Sequence, residues 1–172
     1  MKKFSTKKIA RIGVIASIYA VLCLVAMPIS SGAIQIRVSE ALTILPLFIP
    51  ESIISLFVGC LIANIITGCF ILDVILGSLV TLVASFMTYL VGKAIKKGWL
   101  KIAIGGLFPV LLNAFLLPVI WYFTYGKLEY MYLIQVAFLL IGQTISVYLF
   151  GGILYTSFRK IKIKEEKKSD ES

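Results

Sequence analysis

The run IARIGVIASIYAVLCLVAM, Ile9–Met27, decides the fold class. It is about 19 residues long, apolar apart from Arg11 near its start, and preceded by Lys2, Lys3, Lys7 and Lys8. A helix that crosses a bilayer needs roughly 20 mostly apolar residues. A signal peptide has a shorter apolar region and a small-residue cleavage site. Here the exit is Pro28-Ile-Ser-Ser-Gly32, and further apolar runs follow. The run therefore reads as a retained transmembrane helix.

The rest of the chain repeats the pattern. Of its 172 residues 60% are hydrophobic, and the mean hydropathy is +1.02. Soluble domains are about 45–50% apolar, so lipid must cover much of this surface. Five more segments follow at about 40–48, 51–70, 72–93, 102–123 and 130–158. The expected architecture is an all-α integral membrane bundle of six transmembrane helices. Residues 1–158 form one membrane domain, and 159–172 form a charged tail. The segment at 40–48 is the weak one. An α-helix of about ten residues is only about 15 Å long, half a bilayer, and Pro46 and Pro50 predict a bend or break there.

The formal charge is +9, from 17 Lys+Arg against 8 Asp+Glu. The basic residues lie in three blocks: the N-terminus; Lys93, Lys96, Lys97 and Lys101; and Arg159 to Lys168. No folded face is available to make a nucleic-acid surface of them. They read as topogenic charge, which places both termini and the 93–101 loop in the cytoplasm. Trp99 then falls at the inner interface, and Trp121, Tyr122, Tyr125, Tyr130 and Tyr132 at the outer one. Cys23, Cys60 and Cys69 lie in apolar runs at spacings that suit neither a disulfide framework nor a zinc site. There is no histidine, no phosphate-binding glycine loop and no nucleophile elbow. The sequence predicts neither an enzyme nor a cofactor- or metal-binding protein.

A polar side chain inside a membrane is costly unless it faces protein or water, so each is a candidate functional residue. These are Glu40, Asn64, Asp73, Asn113 and Gln143. Under the deduced topology they fall at mid-depth or in the outer half. Gln35 and Arg37 lie in the outer loop above them, and Trp121 and Tyr122 at the rim. Together they describe a polar pocket open to the outside. The blander alternatives are hydrogen-bond glue for the three amides, helix caps for Asp73 and Glu40, and a snorkelling loop charge for Arg37. Amides offer donor and acceptor together, and a carboxylate accepts two parallel N–H bonds. That set suits the edge of a purine-like base. Ala16 and Ala20 share one face of the first helix; such pairs allow close approach of another helix, from this bundle or from a partner.

Gln35-Ile-Arg-Val-Ser-Glu-Ala-Leu-Thr-Ile-Leu-Pro46, Gly59-Cys-Leu-Ile-Ala-Asn64 and Leu72-Asp-Val-Ile-Leu-Gly-Ser-Leu79 resemble the QueT family. Its members are substrate-binding S subunits of energy-coupling-factor (ECF) importers, associated with queuosine precursors. The resemblance runs from about residue 8 to 158. It implies a six-helix S subunit with a long first loop over an outward pocket. It implies as partners a transmembrane coupling subunit and two ATP-binding-cassette ATPases, docked through the Ala16/Ala20 face. It implies a 7-deazaguanine ligand such as queuine, taken up through the cell membrane. Glu40 is then expected to meet the base, with Asn64, Asn113 and Gln143 completing the edge and Trp121 or Tyr122 stacking. Asp73 is the other carboxylate near the outside. Two further readings stay open: an S subunit for a pteridine or flavin, and a membrane scaffold without ligand.

Overall fold

The computed structural model describes residues 6–30 and 34–157. Among these residues the structure is helical, without strands. Helix α1 is Thr6–Val25 and α2 a single turn, Met27–Ser30. A 3-10 helix follows at Val38–Leu47, then α3 at Ser52–Ile66, α4 at Ile71–Ala94 and α5 at Gly98–Tyr125. Helix α6 starts as Tyr132–Thr144, widens into a π turn at Ile145–Phe150 and runs on to Ser157. Among the described residues four helices, α1, α4, α5 and α6, are long and apolar enough to cross a membrane. The expected tail at 159–172 lies outside the described residues.

Local signals set the boundaries. The third predicted segment ends at Ile66 rather than 70. There Thr67 turns its hydroxyl back on the Ala63 carbonyl at 2.9 Å, and Gly68 takes φ +75°. Helix α5 starts at Gly98, earlier than the sequence suggests, and stops at Gly126, whose φ of +71° is the left-handed cap glycine favours. Proline at 109 has no N–H for the Gly105 carbonyl. The Thr88 hydroxyl of α4 donates to that oxygen at 3.0 Å, which keeps a freed backbone group satisfied inside the bundle.

The element that organises the core is the 3-10 helix. Its start is tied to the far end of α1 by the Cys23 thiol, which donates to Ser39 Oγ at 3.0 Å. Its exit reaches the near end of α1, where Glu51 pairs with Lys8 at 3.4 Å and Arg11 at 3.9 Å. The segment thus runs back along α1 through the bundle. A 3-10 helix rises about 2.0 Å per residue, so ten residues cover about 20 Å rather than 15 Å. That is longer than the half-span expected at 40–48 and still shorter than the hydrocarbon core of a bilayer, about 30 Å. Pro46 stays inside the helix instead of breaking it.

Every residue from Ser39 to Leu47 is buried. Leu42 and Leu45 join Ile15, Tyr19, Leu56 and Cys60 between α1 and α3. Ile44 and Leu47 join Val91, Val110 and Val147 between α4, α5 and α6. A third apolar cluster, around Ala114, Leu117 and Leu139, closes α4 to α6. Glycine makes room for this axis. A Cβ on Gly92 would stand 2.8 Å from the Leu47 carbonyl oxygen, and one on Gly151 would meet Ile44. The remaining apolar surface points outward, including Val14, Val25, Phe123 and Leu133 at 59%, 73%, 73% and 76% exposure. For a lipid-facing surface these values are the expected ones.

Candidate functional site

At the bundle end opposite Lys8, Arg11 and Glu51 lies a cavity of about 710 Å³. Its volume is in the range that holds small organic ligands. The wall draws on several elements. Gln35 and Arg37 come from the segment entering the 3-10 helix, Asp73 from the first turn of α4, Trp121 and Tyr125 from the end of α5, and Gln135 from the first turn of α6. Lys127 and Glu129 of the α5–α6 connection stand at the mouth. The entering segment is held inward because Gly142 of α6 receives the Gln35 backbone where any Cβ would collide.

The wall is polar and only loosely self-satisfied. Arg37 donates to Gln35 Oε1 at 3.2 Å, and its guanidinium lies 5.9 Å from the Trp121 ring centroid. That stack is a cation–π contact, and among the described residues the other N–H donors of Arg37 have no hydrogen bond. No ion pair involves Arg37 among the described residues. Asp73 is 7% exposed. It accepts from the Tyr125 hydroxyl only over 3.5 Å, long for an O–H···O bond. The Trp121 and Cys69 side chains are its other polar neighbours.

Beneath the cavity is a second polar group. Glu40 is 1% exposed. It accepts from the Tyr19 hydroxyl at 2.7 Å through Oε1 and from Asn113 Nδ2 at 3.2 Å through Oε2. Asn113 also donates to Gln143 Oε1 at 3.4 Å. The structure brings Glu40, Asn113 and Gln143 together, as a network that is not on the cavity wall. Glu40 is therefore no water-exposed cap. Asn64 lines neither the cavity nor the Glu40 network; its Nδ2 is 3.7 Å from Cys60 Sγ, and a Cβ on Gly77 would touch both Nδ2 and Asp73 Oδ1, so it lies close beside Asp73.

Two expected positions differ. Tyr122 is 54% exposed and packs edge-on against Phe123, so it turns away from the cavity, whereas Trp121 faces it. Ala16 and Ala20 are 3% and 6% exposed, and Gly59 of α3 packs against the Ala16 backbone. The pair spaces α1 against α3 inside the bundle and offers a partner no surface. The outward face of α1 carries Gly13 and Ser17 among Val14, Ile18 and Val21. Among the described residues no cluster of Cys, Asp and Glu could hold a metal ion.

Gln135 and Tyr19 are the polar residues that sequence reasoning passed over. Gln135 lies eight residues before Gln143, about 80° round an α-helix and so within one broad stripe, a weak signal that the sequence does carry. Tyr19 gives no such signal, because a tyrosine in an apolar helix looks like any other bulky residue.

No curated protein and no solved structure matches the chain. The QueT transporter family matches residues 9–160, most of its length. With its long apolar helices and its cavity between them, the chain belongs to the QueT transporter family, and its role is transport of a small molecule across a membrane rather than catalysis.

Proposed function

We propose that the chain is the substrate-capturing S subunit of an ATP-driven energy-coupling-factor importer, and that it takes up queuine or a related 7-deazaguanine from outside the cell. The carrying observation is the cavity that gathers Asp73, Arg37, Trp121 and Gln35 at the end of the bundle away from the basic residues. Lysine and arginine mark the cytoplasmic side of a membrane protein. Lys8, Arg11, Lys93, Lys96, Lys97 and Lys101 belong to the other end, so the cavity opens outward. Counting the buried 3-10 helix and α3 as crossings gives six and leaves both termini inside.

Asp73 is the carboxylate assigned to the ligand. A 7-deazaguanine presents N1–H and the 2-amino group side by side, and a carboxylate accepts both. Trp121 supplies a flat face for the ring, and Arg37 a donor for its carbonyl. Glu40, with Asn113 and Gln143, forms the floor and holds the entry of the 3-10 helix in place. Uptake needs a transmembrane coupling subunit and two ATPases. The outward α1 face at Gly13 and Ser17 is the surface assigned to that docking.

The test is calorimetric titration of the purified chain with queuine, beside thiamine, riboflavin and folate. Saturable binding of queuine alone is expected, weakened at least tenfold by Asp73→Asn. Selective binding of a pteridine or flavin would replace the ligand, and no binding to any of the four would remove the function.

A further inference from the structure

Gln135 is 3% exposed, lies on the cavity wall, and has an amide oxygen without a hydrogen-bond partner among the described residues. Buried side-chain oxygens are nearly always paired, and leaving one unpaired destabilises the fold. Its helical neighbours Leu133, Ile134, Val136 and Ala137 are apolar. An apolar residue at 135 would fold at least as well.

The wall opposite is in a similar condition. Asp73, also almost fully buried, has the long contact from Tyr125 and the Trp121 and Cys69 side chains as its polar neighbours, and no ion pair among the described residues. Helices α4 and α6 thus each bring a buried acceptor side chain to the wall of one cavity, a carboxylate without an ion pair among the described residues and an unpaired amide oxygen, and Trp121 adds an aromatic face beside Arg37. Two acceptors and an aromatic face ask for a planar molecule with N–H groups on more than one edge.

We propose that Gln135 is a specificity-determining ligand contact, whose amide oxygen accepts an N–H of the heterocycle that Asp73 holds by its other N–H groups. This rests on the reading of the chain as a 7-deazaguanine-binding subunit. A site built to bond an N–H rejects analogues without it, because the buried acceptor stays orphaned when they bind. Gln135 therefore costs the empty protein stability and contributes affinity to the loaded one.

That opposition is the test, since a structural hydrogen bond moves both readouts the same way. The full chain and Gln135→Met are compared in detergent, by thermal unfolding without ligand and by calorimetric titration with queuine. Met nearly matches the glutamine in length and removes both polar atoms. The expected result is an unfolding midpoint equal to or above that of the parent chain, with queuine affinity at least tenfold weaker. A lowered midpoint in the empty protein, or unchanged affinity for queuine, overturns the assignment of Gln135 and leaves the substrate reading standing. Failure of the parent chain itself to bind queuine overturns both.

Discussion

Replacing Glu40 separates the two carboxylates sharply. In Glu40→Leu the Tyr19 hydroxyl, itself 1% exposed, loses its acceptor, and Asn113 Nδ2 keeps only the 3.4 Å contact to Gln143. An orphaned buried donor costs about 1–3 kcal/mol, so the tyrosine at that range and the asparagine near its lower end give about 2–4 kcal/mol. Single interhelical bonds in membranes average about 0.6 kcal/mol when deleted, because freed groups find new partners. Tyr19 is enclosed by Ile15, Leu42, Leu56 and Cys60 and has no such freedom. Glu40→Gln retains the Tyr19 bond, and Asn113 can rotate its amide to present oxygen to the new N–H₂. It loses the extra strength of a charge-assisted bond, about 1 kcal/mol. Because Glu40 is not on the cavity wall, Glu40→Gln should bind queuine within about threefold of the parent, a free-energy change under about 0.7 kcal/mol. Denaturant unfolding in detergent and calorimetry measure the two quantities. If Glu40→Gln keeps its stability but loses tenfold or more in affinity, the ligand reaches Glu40 and the floor assignment is wrong. If Glu40→Leu costs less than about 0.5 kcal/mol, the network is not the anchor its geometry indicates.

The glycines make a paired prediction. Gly92→Ala should destabilise by about 1–3 kcal/mol, since the new methyl meets the Leu47 backbone, while Gly152→Ala should be neutral or slightly stabilising, with nothing within 4 Å; unfolding of both variants side by side measures the difference. On α1, Gly13→Leu projects into open space and should leave queuine binding intact while abolishing uptake in cells, whereas Ala16→Leu should already fail in stability; normal uptake by Gly13→Leu would clear that face of a docking role. At the basic end, a hydrogen bond from its own backbone N–H, helped by Lys8 and Arg11, holds the Glu51 carboxyl below its ordinary 4.5. Its contribution is thus complete above the ordinary carboxylate range and lost as pH falls through the lowered value. With Lys8 and Arg11 more than half exposed, Glu51→Gln should cost under about 1 kcal/mol at pH 7 and flatten the acid limb of stability, read from unfolding at pH 3 to 7.

The long helices were legible because each is a run of lipid-compatible residues, and such a run has few other uses. The 3-10 helix was legible only as an interval. Its residues, VSEALTILPL, carry no marker separating a 3-10 from an α-helix, and the choice was made by length to be covered and by room left between glycines on other helices. Pro46 looked like a breaker because the penalty was counted for an α-helix in isolation. The polar residues were legible as a set, since each is expensive in lipid, but not in their partition. Depth along a helix put Glu40 and Asp73 on comparable terms. Which one meets the cavity depends on Tyr19 and Asn113 reaching Glu40 from two other helices, and no spacing in the sequence encodes that. The alanine pair left two readings open for a related reason. A small-residue face shows that a helix comes close, and here that helix is α3, through Gly59.

The 3-10 geometry also explains why cavity and floor are joined by so short a sequence. In a 3-10 helix residues three apart lie above one another, whereas in an α-helix they are offset by about 60°. Arg37 caps the 3-10 helix, with its carbonyl accepting from the Glu40 N–H at 2.9 Å, and the Glu40 carbonyl accepts from the Thr43 hydroxyl at 2.6 Å. Glu40, Thr43 and Pro46 therefore follow one line along the axis, and Arg37, extended at the cap, precedes it. Arg37 is in the cavity, Glu40 in the floor, and Pro46 beside Leu47, which Gly92 and Gly105 receive at the basic end. An α-helix of the same ten residues would be about 5 Å shorter and would turn these side chains away from a common line. Poorer hydrogen-bond geometry is the cost of the longer form. Burial on every side offsets it, since no lipid reaches the backbone and water cannot compete for its bonds.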